Sequence, residues 1–212
     1  GSRRSARLLA EVVADLEDRV FRALDRLHAA RPRLSAIPRA HLAAELPDLK
    51  SEALIHGIVD RLKQQEKVVV EARTVAIKGY EPKLSQGERR LKNELLTSIR
   101  QGGMSPPEVS ELATASGGRA AVVPELLVLL RDEQKLVEIS PALYLEFEIE
   151  AEMRRRVLAH LTGNATMTMA ELRDLLGTTR KYAVPIGEYL DRTGLTHREG
   201  DVRLLGHAAQ PD

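Results

Sequence analysis

The sequence predicts a mainly α chain with small β-hairpins (α+β), built from one kind of unit used three times. Three observations predict it. Apolar residues recur at helical spacing through most of the 212 residues. Short β-branched and leucine-rich runs come in pairs around turn residues. The first runs of the three pairs start at Val68, Leu136 and Leu195, which marks an internal repeat of roughly sixty residues.

In the first unit, Leu16, Val20, Leu24 and Leu27 predict a helix. Pro38-Arg39-Ala40-His41-Leu42 opens a short second helix, with proline suited to a first turn. Ser51 is the candidate N-cap of a third helix carrying Leu54, Ile55, Ile58 and Leu62. Val68-Val69-Val70 and Val75-Ala76-Ile77 then read as strands around Ala72-Arg73-Thr74.

The second unit repeats the order. Leu91, Leu95, Leu96 and Ile99 mark its first helix, which stops at Gly102-Gly103. Ser105-Pro106-Pro107-Glu108 reads as a capped start, and that helix ends at Gly117-Gly118. Val122, Val123, Leu126, Leu127, Leu129 and Leu130 give an unusually apolar third helix, expected to be buried. Leu136–Ile139 and Leu143–Leu145 flank a Ser140-Pro141 turn.

In the third unit, Met153, Val157, Leu158 and Leu161 mark the first helix. Thr168-Met169-Ala170-Glu171 has capping-box spacing ahead of Leu172, Leu175 and Leu176, and Gly177 ends that helix. Thr178 or Thr179 caps a helix with Ala183, Ile186, Tyr189 and Leu190. Leu195–Arg198 and Val202–Leu205 flank Glu199-Gly200-Asp201, a good hairpin turn. Pro124 and Pro185 hold equivalent places near the starts of two third helices and predict local kinks.

Three helices followed by a hairpin form a winged helix, so the chain reads as tandem winged-helix domains. The expected division is a lead-in segment or remnant of a preceding domain over 1–14, winged helices over 15–80, 81–146 and 147–206, and a frayed tail over 207–212. Units this small bury proportionally little surface, so they should pack on one another or share linkers as a semi-rigid string.

Hydrophobic residues at 43% and charged residues at 30% fit a globular chain. No apolar run approaches the ~20 residues that span a bilayer, so no membrane partner is expected. The absence of cysteine excludes disulfides, a cysteine nucleophile and cysteine-ligated metal, and is compatible with a cytoplasmic location. The net charge is +1, yet Arg154 to Arg203 holds 9 basic and 6 acidic residues. This is not the whole-domain basicity of a nonspecific DNA binder, but it leaves a local basic face.

No catalytic constellation is present in the sequence. The six histidines lack metal-ligand spacing. There is no phosphate-binding glycine loop, and the double glycines are helix stops. The chain is therefore expected to be no enzyme and to hold no cofactor or metal.

The third unit carries the informative residues. Arg180, Lys181 and Tyr182 fall at the start of its last helix, where free N–H groups and the dipole also favour phosphate. Arginine and lysine attract phosphate, and arginine also binds a base edge. Tyr182 either stacks on an unpaired base or belongs to the core. The wing adds His197, Arg198, Gly200 and Arg203. Gly200 lets backbone approach a strand closely. Arg173, on the preceding helix, completes the candidate set. The first unit offers Lys50, Arg61, Lys63, Arg73 and Lys78, a surface that reads mainly as solvated.

At these residues the sequence resembles a known family. Met169–Gly177 followed by T-T-R-K-Y-A-V-P-I-G-E-Y-L-D-R-T-G-L-T-H-R-E-G-D-V-R-L-L closely resembles the last winged helix of SelB, the bacterial selenocysteine-specific elongation factors. The resemblance is strong over about 148–205 and rests mainly on the repeat before that. It implies that this is the C-terminal part of a factor whose N-terminal half binds GTP and Mg and carries selenocysteinyl-tRNA to the ribosome. It implies that the last module binds the selenocysteine insertion hairpin of an mRNA beside a UGA codon, as a monomer. Arg180, Lys181, Tyr182, Arg198, Gly200 and Arg203 are then the hairpin contacts. Two positions depart from the pattern: Gly187, where the family more often has a larger apolar residue, and His197, where it has arginine. Two other readings stay open, a DNA-binding regulator and a protein-interaction scaffold. Glu188 and Asp191, expected together on the exposed side of the last helix, disfavour insertion into a DNA groove.

Overall fold

The computed structural model describes residues 2–49 and 51–209, and forms two compact units, 1–84 and 85–212. Lys50 lies outside the described residues.

The first unit opens with α1 (Ser2–Ala30), a single 29-residue helix. Residues 2–14 are therefore continuous with the first helix of the module. The apolar periodicity simply runs on through Leu9, Val12, Val13 and Leu16, although Leu9 and Val12 are exposed. Strand β1 (Ile37–Pro38) leads into α2 (Arg39–Ala44), and α3 (Glu52–Gln64) follows. Ser51 caps α3 by accepting from the Leu54 amide at 3.2 Å. Strands β2 (Val68–Val70) and β3 (Thr74–Ile77) make the wing. The antiparallel sheet has order β1-β3-β2, with Ile37 opposite Val75. The strand at Ile37 is too short for its periodicity to show in the sequence. Val20, Leu24, Leu27, Leu42, Ile58, Leu62 and Val75 fill the core.

Two of the basic residues named for this unit are paired with carboxylates. Arg61 donates to Glu17 at 2.7 Å and Lys78 to Glu66 at 2.9 Å. His28 is buried, stacks on Tyr80 with ring centroids 3.8 Å apart, and accepts from the Ile77 amide.

The second unit contains two modules. The first comprises α4 (Gln86–Gly102), α5 (Val109–Ala115), α6 (Val123–Asp132), β4 (Leu136–Ser140) and β5 (Leu143–Glu146). Ser85 and Glu88 form a capping box on α4. Helix α5 is not capped by Ser105. Glu108 takes the N-cap place, and its amide donates to Glu111 at 2.8 Å. Pro124 lies in the first turn of α6, where no intrahelical N–H bond is lost, so it brings no interruption. Helix α6 is buried on most sides, as its composition predicts.

The second module comprises α7 (Phe147–Gly163), β6 (Met167–Thr168), α8 (Met169–Leu176), α9 (Arg180–Arg192), β7 (Thr196–Glu199) and β8 (Val202–Leu205). Its sheet runs β6-β8-β7. The Thr168–Glu171 capping box is present. Thr179 takes the N-cap place of α9 without a side-chain bond. Thr178 turns the other way: its hydroxyl lies 2.7 Å from that of Ser105 and donates to the Met104 carbonyl at 3.1 Å. These two hydroxyls tie the modules together. Ile139, Leu143 and Leu145 share one core with Met153, Leu172, Ile186 and Leu190. The last two modules are thus fused through apolar packing, more tightly than a string of units.

One corner recurs in every module. The chain leaves each third helix through a left-handed residue: Glu66 at φ 56°, Gln134 at φ 56° and Gly194 at φ 75°. Residues His207–Ala209 form a short 3-10 turn instead of a frayed end. That turn rests on Gly194, where an added Cβ would lie 2.7 Å from His207 Cε1. Residues 210–212 lie outside the described residues. Among the described residues, no helix is long and apolar enough to cross a membrane.

Candidate nucleic-acid interface

Helix α8 and the start of α9 bring Arg173 and Arg180 to the same opening. With Met169 and Ala170 they line a half-enclosed cavity of about 150 Å³. Both arginines are exposed; Arg173 also pairs with its neighbour Asp174 at 2.6 Å. Gly177, left-handed at φ 60°, turns the chain between the two helices and so sets their approach. Met169 and Ala170 were not among the residues the sequence singles out. Their apolar character reads as core until the cavity shows one side of each facing outward.

Lys181 follows Arg180 but does not point at empty solvent. Its ammonium lies 3.3 Å from both Glu108 and Glu111 at the start of α5. Desolvation works against its charge, yet the bonds to the two carboxylates prevail and raise its pKa. Glu111 is lowered in turn, first by the Glu108 amide and then by Lys181. Tyr182 is half-buried against the shared core, with the Lys181 ammonium 5.3 Å from its ring centre. It packs on that core and keeps part of its surface accessible.

The wing holds three candidates in different states. Arg198 is exposed, and its Nε donates to the Gly200 carbonyl at 2.8 Å. Gly200 is left-handed at φ 60° with open space around its Cα. That conformation lets a turn join Glu199 and Val202, which are paired in register. His197 is exposed, yet both ring nitrogens are engaged: Nδ1 lies 3.1 Å from the Leu205 carbonyl and Nε2 lies 3.2 Å from Glu199.

Arg203 corrects the sequence reading. It is 3% exposed and points into the module. Its Nε lies 3.1 Å from both carboxylate oxygens of Asp191, and its Nη2 lies 2.9 Å from Oδ2. Asp191 also accepts from the Thr196 hydroxyl at 2.6 Å. Asp191 is therefore no exposed acid beside Glu188; it faces the wing, while Glu188 remains exposed. A charged strand residue on alternating positions reads as solvent-facing. What admits this one is Gly187: a Cβ there would meet the Arg203 guanidinium carbon at 2.8 Å.

The cavity, the α9 start and the Arg198 turn thus belong to one module, with Arg203 withdrawn from the surface. Among the described residues no three histidine or carboxylate side chains cluster as metal ligands would. The arrangement suits a backbone and base binder: guanidinium groups flank an apolar-floored opening at a helix start.

Residues 159–205 match the family described as elongation factor SelB, winged helix. The chain is 29% identical over 196 residues to a selenocysteine-specific elongation factor from Desulfomicrobium baculatum, covering 92% of this chain. It spans about 31% of that relative's length. The mRNA-binding domain of elongation factor SelB from E. coli, solved in complex with SECIS RNA, superposes with a TM-score of 0.51 at 24% identity. That match covers 58% of this chain and 99% of the other. A crystal structure of the bacterial selenocysteine-specific elongation factor EF-Sec gives a TM-score of 0.48 at 20% identity, over 92% of this chain and 30% of that one.

Proposed function

We propose that this chain, whose residues 159–205 match the winged helix of elongation factor SelB, binds a selenocysteine insertion hairpin in mRNA. The observation that carries the reading is the Arg173–Arg180 cavity on the same module as the Arg198–Gly200 turn. A-form RNA hides its base edges in a deep major groove, so a helix cannot be laid there as it is in DNA. A loop or bulge offers splayed bases instead. The cavity takes one such base between two guanidinium groups, over an apolar floor. Arg180 and the α9 amides hold phosphate beside it, and Arg198 reads a second unpaired base.

In this reading the module over 147–206 carries the RNA affinity, and the winged helix over 81–146 supports it through the shared core. The chain itself turns over no substrate and binds no GTP. GTP, Mg and selenocysteinyl-tRNA belong to the rest of a longer protein, which delivers the tRNA to the ribosome in the cytoplasm. The chain acts as a monomer.

Titration with a pool of RNA hairpins randomised in loop and bulge, against duplex DNA of equal length, tests the reading. Retention of hairpins with enrichment of particular loops is expected. Equal retention of duplex DNA would favour a DNA-binding regulator. Micromolar binding of GTP by calorimetry would overturn the assignment of nucleotide chemistry to the rest of the factor.

A further inference from the structure

We infer that Asp191 and Arg203 form a positioning pair that fixes the wing against α9, and that this pair sets which RNA loops are accepted. The inference rests on the hairpin-binding reading above and deepens it.

One carboxylate holds two residues at the corner. Asp191 lies in the last turn of α9, one residue before the helix ends at Arg192. It accepts from Thr196, the first residue of β7, at 2.6 Å. It also holds Arg203, in the middle of β8, by accepting from Nε and Nη2 along one edge of the guanidinium. Both wing strands are therefore tied to the same helix side chain. The chelated geometry defines direction as well as distance, because a planar guanidinium held at two nitrogens cannot pivot freely.

The register carries that constraint to the tip. Arg203 is the cross-strand partner of Arg198, and Met167 of β6 is its partner on the other side. Fixing Arg203 thus fixes the strand position directly opposite Arg198. From there Arg198 reaches the Gly200 carbonyl within the turn. Across the module, the Arg173–Arg180 cavity is built on α8 and the first turn of α9. Asp191 sits at the other end of that same helix. The two RNA-facing features are consequently held at one separation by one rigid element and one ion pair.

Gly187 shows that the pair is accommodated by design of the local packing. Any side chain at 187 would meet Arg203 at 2.8–2.9 Å and Met169 at 3.1 Å. Met169 lines the cavity. The Arg203 guanidinium therefore fills the space between wing and cavity floor. A buried pair of this type is weak evidence for stability, but it is a good device for specifying one arrangement over its neighbours.

The test uses the full chain and the randomised hairpin pool. Asp191→Asn keeps size and removes the charge. Because it strands a buried guanidinium, Asp191→Asn/Arg203→Met is made alongside it, leaving no unpaired charge. Circular dichroism and thermal melting report folding. Total RNA retained should change little in either folded variant, because Arg173, Arg180 and Lys181 are untouched. Enrichment of the preferred loops should fall by about tenfold, the scale of one lost base discrimination. A purely structural role would lower retention of all loops alike and leave their ranking intact. A folded double variant that enriches the same loops as strongly as the wild type overturns the inference. A wild type that enriches no loop overturns the hairpin reading instead, so the two failures are separable.

Discussion

Lys181, at the second position of α9, is paired with Glu111 at the start of α5, Nζ to Oε1 3.3 Å. A basic residue expected to meet RNA is thus held by the neighbouring module, with Glu108 equally near. Phosphate must compete with two carboxylates for it.

Glu108→Gln/Glu111→Gln should therefore raise hairpin affinity. The pair is solvent-exposed, so the gain is roughly two- to fivefold, as for other surface ion pairs. Fluorescence anisotropy with a hairpin enriched from the pool measures it. Unchanged affinity would mean that Lys181 takes no part in binding.

Arg198→Ala should cost about 1–3 kcal/mol on an enriched hairpin and much less on one with an altered loop. Arg173→Ala should act likewise on hairpins altered at the bulge or loop base that fills the cavity. Arg203→Ala should also lower the melting temperature, because Asp191 loses its buried partner. Parallel losses on both hairpins for Arg198→Ala, in a folded protein, would reject base reading at the wing.

Gly194→Ala should destabilise the second unit by about 1–2 kcal/mol from left-handed backbone alone. The added methyl group also displaces His207, so the loss should shrink when residues 207–212 are removed. Urea unfolding of the two backgrounds separates the contributions.

The first unit should lose stability in mild acid. Burial lowers the His28 pKa below its ordinary value near 6.5, with Asp25 partly opposing. The unfolded chain then takes up a proton at a pH where the folded unit does not. Stability from this residue is full above about 6.5 and declines as pH falls below it, until the lower folded pKa is passed. His28→Phe retains the stack on Tyr80 and removes the titration. Urea midpoints of its far-ultraviolet signal at pH 7.5 and about 5.5 should lie closer together than in the wild type.

The three-fold repeat was legible because each helix carries a strong apolar period and each wing a pair of β-rich runs. Leu126, Leu130, Leu172 and Ile186 are buried as their spacing predicts. What the sequence concealed depends on partners far along the chain. Ser105 looks like a cap and instead meets Thr178, 73 residues away. Residues 1–14 read as a lead-in segment or remnant of a preceding domain, yet the first helix runs unbroken from Ser2 to Ala30. Arg203 looks exposed by strand alternation and is buried, because Gly187 leaves room and Asp191 supplies charge. The basic start of α9 could be read, since helix position alone places Arg180 there. The cavity beside it could not, since it needs the packing of α8 against α9.

The Lys181 contact has a consequence for ionic strength. Lysines that meet nucleic acid normally strip condensed cations from its backbone, and each adds to the steepness with which added salt weakens binding. Lys181 brings its own counterion with it. When RNA takes the ammonium, Glu108 and Glu111 are uncovered and gather cations of their own, offsetting those the phosphate sheds. The salt slope of the intact chain should then undercount its phosphate contacts. Neutralising the two carboxylates should steepen that slope while tightening the complex.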